Sequence, residues 1–231
     1  MVGTVCTTIK VCLGRPEYWS LHKARLEYFA AILNRSIDTV RLDREIKRLC
    51  SMLSHGVIRI EFDSNGPLRF TSRTLPLNHS LNWCVAYSAR TRSQAAIKWF
   101  DRSNWNARKK QSNVDVLLLL DEHSRYLECC IGNIFVYRPR EQQWYTPPVS
   151  LPLLPGIMRS VLLSNALSLG VGIVEESLKY EQTDELWMSN ALRGLCPLNG
   201  SRDIPSWTCV ESDGVNEARA LEHFRQALRH L

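Results

Sequence analysis

Tyr126-Leu127-Glu128-Cys129-Cys130-Ile131-Gly132-Asn133-Ile134-Phe135 is the stretch on which the fold turns. Tyr126 to Cys130 and Asn133 to Tyr137 read as two short strands, dominated by apolar and aromatic residues. Just upstream, Val114 to Leu120 is an apolar run of the buried-strand type, and Trp144-Tyr145-Thr146-Pro147-Pro148 follows downstream. Glu128 is therefore a carboxylate set inside a strand-rich segment.

Further out, Gly156 to Leu169 has the spacing of an amphipathic helix, with Gly170 and Gly172 marking the turn after it. Glu185 to Ser189 reads as a strand, and Asn216 to Leu231 as a helix with Leu221, Phe224 and Leu228 on one face. Toward the N-terminus, Ala95 to Lys110 is patterned as a helix and Trp83 to Tyr87 as a strand. Asp63 to His79, rich in Ser, Asn, Pro and Gly, reads as loop. Before it, Val5 to Val11 is a β-branched strand ending in the turn signal Leu13-Gly14-Arg15-Pro16. A helix starts near Ser20 and carries His22, Leu26, Phe29 and Leu33. A second fits Leu42 to Leu53, with Gly56 ending it, and Val57 to Phe62 alternates as a half-buried strand. The pattern predicts a mixed α/β (α+β) chain: a small N-terminal α/β domain, 1–90, and a larger strand-rich domain, 91–231, with the boundary in Ser88–Ser93.

Composition narrows the class. With 231 residues, 45% hydrophobic and 23% charged, the chain is long enough for sizeable apolar cores. Its formal net charge is +6, but the cations are scattered, and the run Arg108-Lys109-Lys110 reads as a solvated helix end rather than a nucleic-acid patch. That balance suits a small anionic substrate. The eight cysteines include no Cys-x-x-Cys pair, and no His-x-x-x-His occurs, so no metal site is expected; the thiols read as buried small hydrophobes of a reducing compartment. Met1–Lys10 lacks the pattern of a signal peptide, and Leu151–Val174 is interrupted by Pro152, Pro155 and Arg159. A cytoplasmic protein, without membrane or nucleic-acid partner, is expected.

Five segments carry a resemblance. They are His22-Lys23-Ala24-Arg25-Leu26; Ile97-Lys98-Trp99-Phe100-Asp101-Arg102; Glu128 to Phe135; Tyr145-Thr146-Pro147-Pro148 with Leu154-Pro155-Gly156-Ile157-Met158-Arg159; and Glu185-Leu186-Trp187-Met188-Ser189-Asn190-Ala191-Leu192-Arg193-Gly194. In this order and at these separations the chain resembles the class IV aminotransferases, the fold-type IV pyridoxal-phosphate enzymes, over nearly its whole length. Within the family it looks most like the aminodeoxychorismate lyases.

The resemblance implies pyridoxal 5'-phosphate as cofactor and Lys98 as the lysine that joins its aldehyde and later moves a proton. It implies Glu128, with Asn133 behind it, as the acid partner of the pyridine nitrogen, and Arg25 as the phosphate-contacting arginine. The amides of Gly156, Ile157 and Met158 then lie at a helix N-terminus, an anion-binding position, and Asn190 and Ala191 form a second contact near the phosphate.

Met158 and Ala191 depart from the family, standing where many relatives have hydroxyl side chains, which predicts weakened cofactor binding. The chain also begins late relative to the family, and the loop before the boundary is shortened to about Asn65–Phe70. Ser103 occupies the position of a tyrosine in branched-chain aminotransferases, which counts against that branch. The lyase resemblance implies release of 4-aminobenzoate and pyruvate from 4-amino-4-deoxychorismate. A D-amino or branched-chain acid transaminase and a non-catalytic relative are the alternatives. Arg159 and Arg69 are candidates for the substrate carboxylates. By the same resemblance a homodimer is expected.

Overall fold

The computed structural model describes residues 3–74, 81–88, 95–98, 102–182, 184–198 and 216–229. They form two compact units: residues up to 74 with Ile97 and Lys98, and the remainder.

The first unit is a four-stranded antiparallel sheet, order β2-β1-β3-β4, with two helices. Strand β1 (Val5–Cys12) turns into β2 (Arg15–Pro16) through Leu13 and Gly14, both at positive φ (50° and 73°), as a two-residue hairpin loop requires. Helices α1 (Trp19–Ile32) and α2 (Thr39–Ser51) follow. The Asp38 side chain accepts the Arg41 N–H at 2.9 Å and starts α2. Strand β3 (His55–Phe62) pairs along all of β1, from Val5 opposite Phe62 to Cys12 opposite His55. Val5, Ile9, Leu26, Phe29, Leu42, Ile46, Ile58 and Ile60 form the core.

Two expectations are corrected here. Gly56 does not end α2, which stops at Ser51; it lies within β3, where a Cβ would come to 2.9 Å from the Arg73 carbonyl oxygen. The supposed loop Asp63–His79 contains β4 (Arg69–Arg73), which pairs with β3. As an edge strand it has only Phe70 and polar neighbours, so no apolar alternation announced it.

The second unit is an eight-stranded mixed sheet. Strands β5 (Trp83–Tyr87), β6 (Val116–Leu120), β7 (Tyr126–Cys129), β8 (Gly132–Arg138), β9 (Gln143–Thr146) and β10 (Ile173–Glu175) run in that order across it. Strand β11 (Glu185–Asn190) pairs antiparallel with β8, and β12 (Gly194–Pro197) with β11. Helices α3 (Ser103–Ser112), α4 (Ile157–Asn165) and α5 (Glu217–Arg229) complete it, α4 and α5 packing together. The all-apolar run Val116–Leu120 is buried at every position, as the sequence predicts.

Strand β5, expected inside 1–90, belongs instead to this unit, since its parallel register of Trp83 to Val116 through Tyr87 to Leu120 supplies a neighbour for that run. The helix expected over Ala95–Lys110 is also divided: Ala96 is turn, Ile97 is bend, Lys98 has no regular structure, and α3 begins only at Ser103. Lys98 lies off any helix because its carbonyl accepts the Cys6 N–H of β1 at 3.0 Å. Trp99, Phe100 and Asp101 of the lysine segment, and most of Ser88–Ser93, lie outside the described residues.

Candidate active site

In the first unit, one buried face of α1 presents His22 and Arg25, three residues apart and so one above the other. His22 is 1% exposed and Arg25 4%. Burying the Arg25 guanidinium disfavours its charge and pushes its pKa down to about 10, with the neighbouring Cys6 thiol opposing the change. Thr7 of β1 lies 2.7 Å by its Oγ1 from His22 Nδ1. Burial, then the charges of Arg25 and Lys98, hold His22 well below the ordinary imidazole range, so it stays neutral. Lys98 reaches Thr8 Oγ1 with its Nζ at 3.4 Å, a long hydrogen bond. The structure thus brings together Arg25 and Lys98, and adds His22, whose Nε2 is buried without a hydrogen-bond partner.

In the second unit Glu128 of β7 stands directly opposite Asn133 of β8, which is opposite Ser189 of β11. All three are buried, forming one polar row across three strands. Leu154 is held between the first two: its N–H donates to Glu128 Oε2 at 3.1 Å, and its carbonyl accepts from Asn133 Nδ2 at 2.7 Å. These bonds fix the chain just before α4. Gly156, the N-cap of α4, has no room for a Cβ because Asn133 Oδ1 occupies that space. The N–H groups of Ile157 and Met158 open the helix and have no intrahelical acceptor. The Met158 side chain is buried among the apolar residues of the unit.

Asn190 ends β11, and its side chain builds the turn after it: Oδ1 accepts the Leu192 and Arg193 N–H groups, each at 3.0 Å, while Nδ2 donates to the Ile131 carbonyl at 3.2 Å. Any ligand contact from Asn190 and Ala191 would come from backbone.

The two candidate substrate arginines differ in setting. Arg159, 1% exposed, donates to the Pro147 carbonyl at 2.8 Å and to the Glu175 carboxylate, tying α4 to β10. A guanidinium so enclosed is a structural tie. Arg69 stands on β4, half exposed, 3.5 Å from Asp63 and 4.0 Å from Glu61.

Residues 4–199 match the family model of amino-transferase class IV. A provisional 4-amino-4-deoxychorismate lyase from Legionella pneumophila superposes with a TM-score of 0.78 at 20% identity, over 89% of this chain and 87% of that one. A provisional amino-acid aminotransferase from Mesorhizobium loti does so at 0.70 and 24%, over 85% and 98%. A hypothetical aminotransferase from Mycobacterium tuberculosis, in its PLP-bound form, gives 0.75 and 16%, over 98% and 89%.

A mixed α/β chain with a larger strand-rich sheet, carrying a lysine and a buried arginine in one unit and a buried carboxylate in the other, is the fold-type IV architecture of pyridoxal-phosphate enzymes. The chain belongs to the class IV aminotransferase family.

A phosphate-bearing cofactor fits the donors present. Arg25 brings a buried positive charge, Lys98 an amine, and His22 a buried ring nitrogen with no protein partner.

Sequence reasoning passed over His22, Thr7, Leu154 and Ser189. His22 was recoverable from its three-residue spacing to Arg25 on a helix whose other buried positions are apolar. Leu154 acts through its backbone, so its side chain gave no signal.

Proposed function

We propose that the protein is a pyridoxal-phosphate-dependent lyase that releases 4-aminobenzoate and pyruvate from 4-amino-4-deoxychorismate. The observation that carries the chemistry is the Lys98 amine, 3.4 Å from Thr8 Oγ1 and in the same unit as buried Arg25 and a neutral His22. The bound cofactor supplies an electron sink for the carbon that bears the substrate amine.

In this reading the Lys98 Nζ would hold the cofactor and would serve as the base for the proton on that carbon. Glu128 keeps a proton on the pyridine nitrogen; the Leu154 N–H and Asn133 fix its orientation. Arg25 neutralises phosphate charge, and the amides of Gly156, Ile157 and Met158 at the start of α4, with those of Asn190 and Ala191, donate hydrogen bonds to it. Backbone donors need no side-chain hydroxyl, so Met158 and Ala191 weaken binding without abolishing it. Breakage of the enolpyruvyl ether is driven by aromatisation of the ring. The substrate is a small anion, and the working form is a homodimer in the cytoplasm. Arg159 is left out of substrate binding.

Ser103, exposed at the start of α3, favours the lyase over a branched-chain aminotransferase, since a hydroxymethyl cannot replace the phenol that branch places there. Transamination of a D-amino acid is the second reading, supported by the likeness to aminotransferases noted above.

The test is incubation with pyridoxal phosphate and enzymatically made aminodeoxychorismate, with Lys98→Ala as control. 4-Aminobenzoate and pyruvate that disappear in the variant are expected. No product, together with keto-acid formation from an amino acid, would replace the lyase with a transaminase. Failure of every reaction and of cofactor binding would leave a non-catalytic relative.

A further inference from the structure

The roles proposed above leave one buried group of the first unit without a task. Among the described residues, the Thr7 hydroxyl has a single hydrogen-bond partner, His22 Nδ1 at 2.7 Å, and Thr7 is 0% exposed. Were Nδ1 the donor, the Thr7 O–H and the Nε2 lone pair would both be left unpaired; with Thr7 donating and Nδ1 accepting, the Nε2–H alone is unmet, and one acceptor completes the pair. His22 is neutral, because it is buried and lies within electrostatic reach of two cations, Arg25 and Lys98. A neutral imidazole that accepts at Nδ1 carries its one proton on Nε2. That N–H is buried and has no acceptor among the described residues. Orphan buried N–H groups are rare in folded proteins. With two cations beside it, the acceptor that completes the cluster is an anionic oxygen.

We propose that His22 is a second phosphate anchor, donating its Nε2–H to the oxyanion that Arg25 neutralises; this rests on the cofactor reading above. Arg25 supplies charge one turn along α1, and His22 supplies direction without adding a third positive charge. Thr7 is the positioning residue, acting through His22 by selecting the tautomer.

The experiment compares binding of pyridoxal phosphate and of pyridoxal, which lacks the phosphate, to the wild-type protein and to His22→Phe, His22→Gln and Thr7→Val. It is joined to ¹⁵N NMR of the His22 ring. His22→Phe is expected to weaken pyridoxal phosphate about ten-fold, the scale of one hydrogen bond to a charged group, with pyridoxal nearly unaffected. His22→Gln restores most of the loss, Thr7→Val loses a smaller factor, and the NMR shows the proton on Nε2. Equal losses for the two ligands, or a proton on Nδ1, would overturn the proposal. Should His22→Phe not fold, the tautomer and the Thr7→Val ratio decide it. If the wild type binds no pyridoxal phosphate, the cofactor reading fails separately, and inorganic phosphate takes its place in thermal shifts. Stabilisation lost in His22→Gln and His22→Phe alike would then contradict directional donation, whereas stabilisation kept in His22→Gln and lost in His22→Phe would sustain an oxyanion site. No stabilisation at all would remove both.

Discussion

Motif order alone singles out Lys98 and Arg25, but it says nothing of the state of the groups around them. No sequence pattern states that His22 is sealed from water or that Thr7 faces its Nδ1. That state has a measurable consequence. A histidine whose pKa falls on folding binds its proton better in the unfolded chain, so below pH 6.5 the unfolded state gains protons that the native state lacks. Stability is therefore complete above about pH 6.5 and falls as the pH drops below it, by up to about 1.4 kcal/mol per pH unit for one such group. His223, lowered by burial and by Arg159, adds in the same direction, and less because it is half-buried. The lowered carboxylates Asp43, Asp63 and Asp121 act only below about pH 4. Denaturant titrations between pH 7 and pH 5 should show this slope, and His22→Gln should remove most of it; an unchanged slope would mean that His22 is not the group. At Gly156 the constraint is steric. A methyl there collides with Asn133 Oδ1, whose amide is held through Nδ2 donating to the Leu154 carbonyl, so Gly156→Ala should cost about 1–3 kcal/mol and displace the Glu128 clamp. A thermal melt equal to wild type would show that Asn133 can move aside.

At the scale of elements, the strongly patterned segments were found close to their ends: α1, α2, β3, β6 and β11 begin and end within a few residues of where apolar spacing puts them. Edge and short strands escaped. β4 is mostly exposed, β10 has three residues, and β12 is four residues after a tight turn, so none offers enough apolar alternation to read. The lysine segment was drawn as helix because its composition favours one, yet Lys98 gives its carbonyl to β1. Tertiary hydrogen bonding overrode propensity there. Two predictions belong to elements. Asp38→Ala removes the acceptor for the Arg41 N–H and should destabilise the first unit by about 1 kcal/mol, read in urea unfolding. Arg159→Leu leaves the Pro147 carbonyl and the Glu175 carboxylate without their donor and loosens α4 from β10. Because Glu175 is partly exposed and can take up water, the cost should be about 1–3 kcal/mol, below the range for fully enclosed pairs. A drop in substrate affinity with unchanged stability would instead return Arg159 to the substrate.

For the whole molecule, the family was readable because five motifs keep their order across the chain, and the match over residues 4–199 spans all five. The reaction was less readable. Arg69 and Arg159, the two arginines singled out for the substrate, are engaged with Asp63 and with Glu175, and neither contact distinguishes one reaction from another. Strand β5 shows a similar limit on dividing the chain by linear sequence, since it lies among residues expected in the small domain and pairs in the larger sheet. No helix of the described residues is long and apolar enough to cross a membrane. The proposed homodimer is checked by sedimentation at micromolar concentration: a species near twice 26.5 kDa is expected, and a monomer at every concentration would contradict it.

The central claim is that Lys98 is the lysine of a pyridoxal-phosphate enzyme. Its most direct test is to load the protein with pyridoxal phosphate, reduce with borohydride, and map the modified peptide by mass spectrometry. A pyridoxyl-phosphate mass increment on Lys98, missing in Lys98→Ala, is the predicted result. An increment on another lysine, or none on any, would contradict the account.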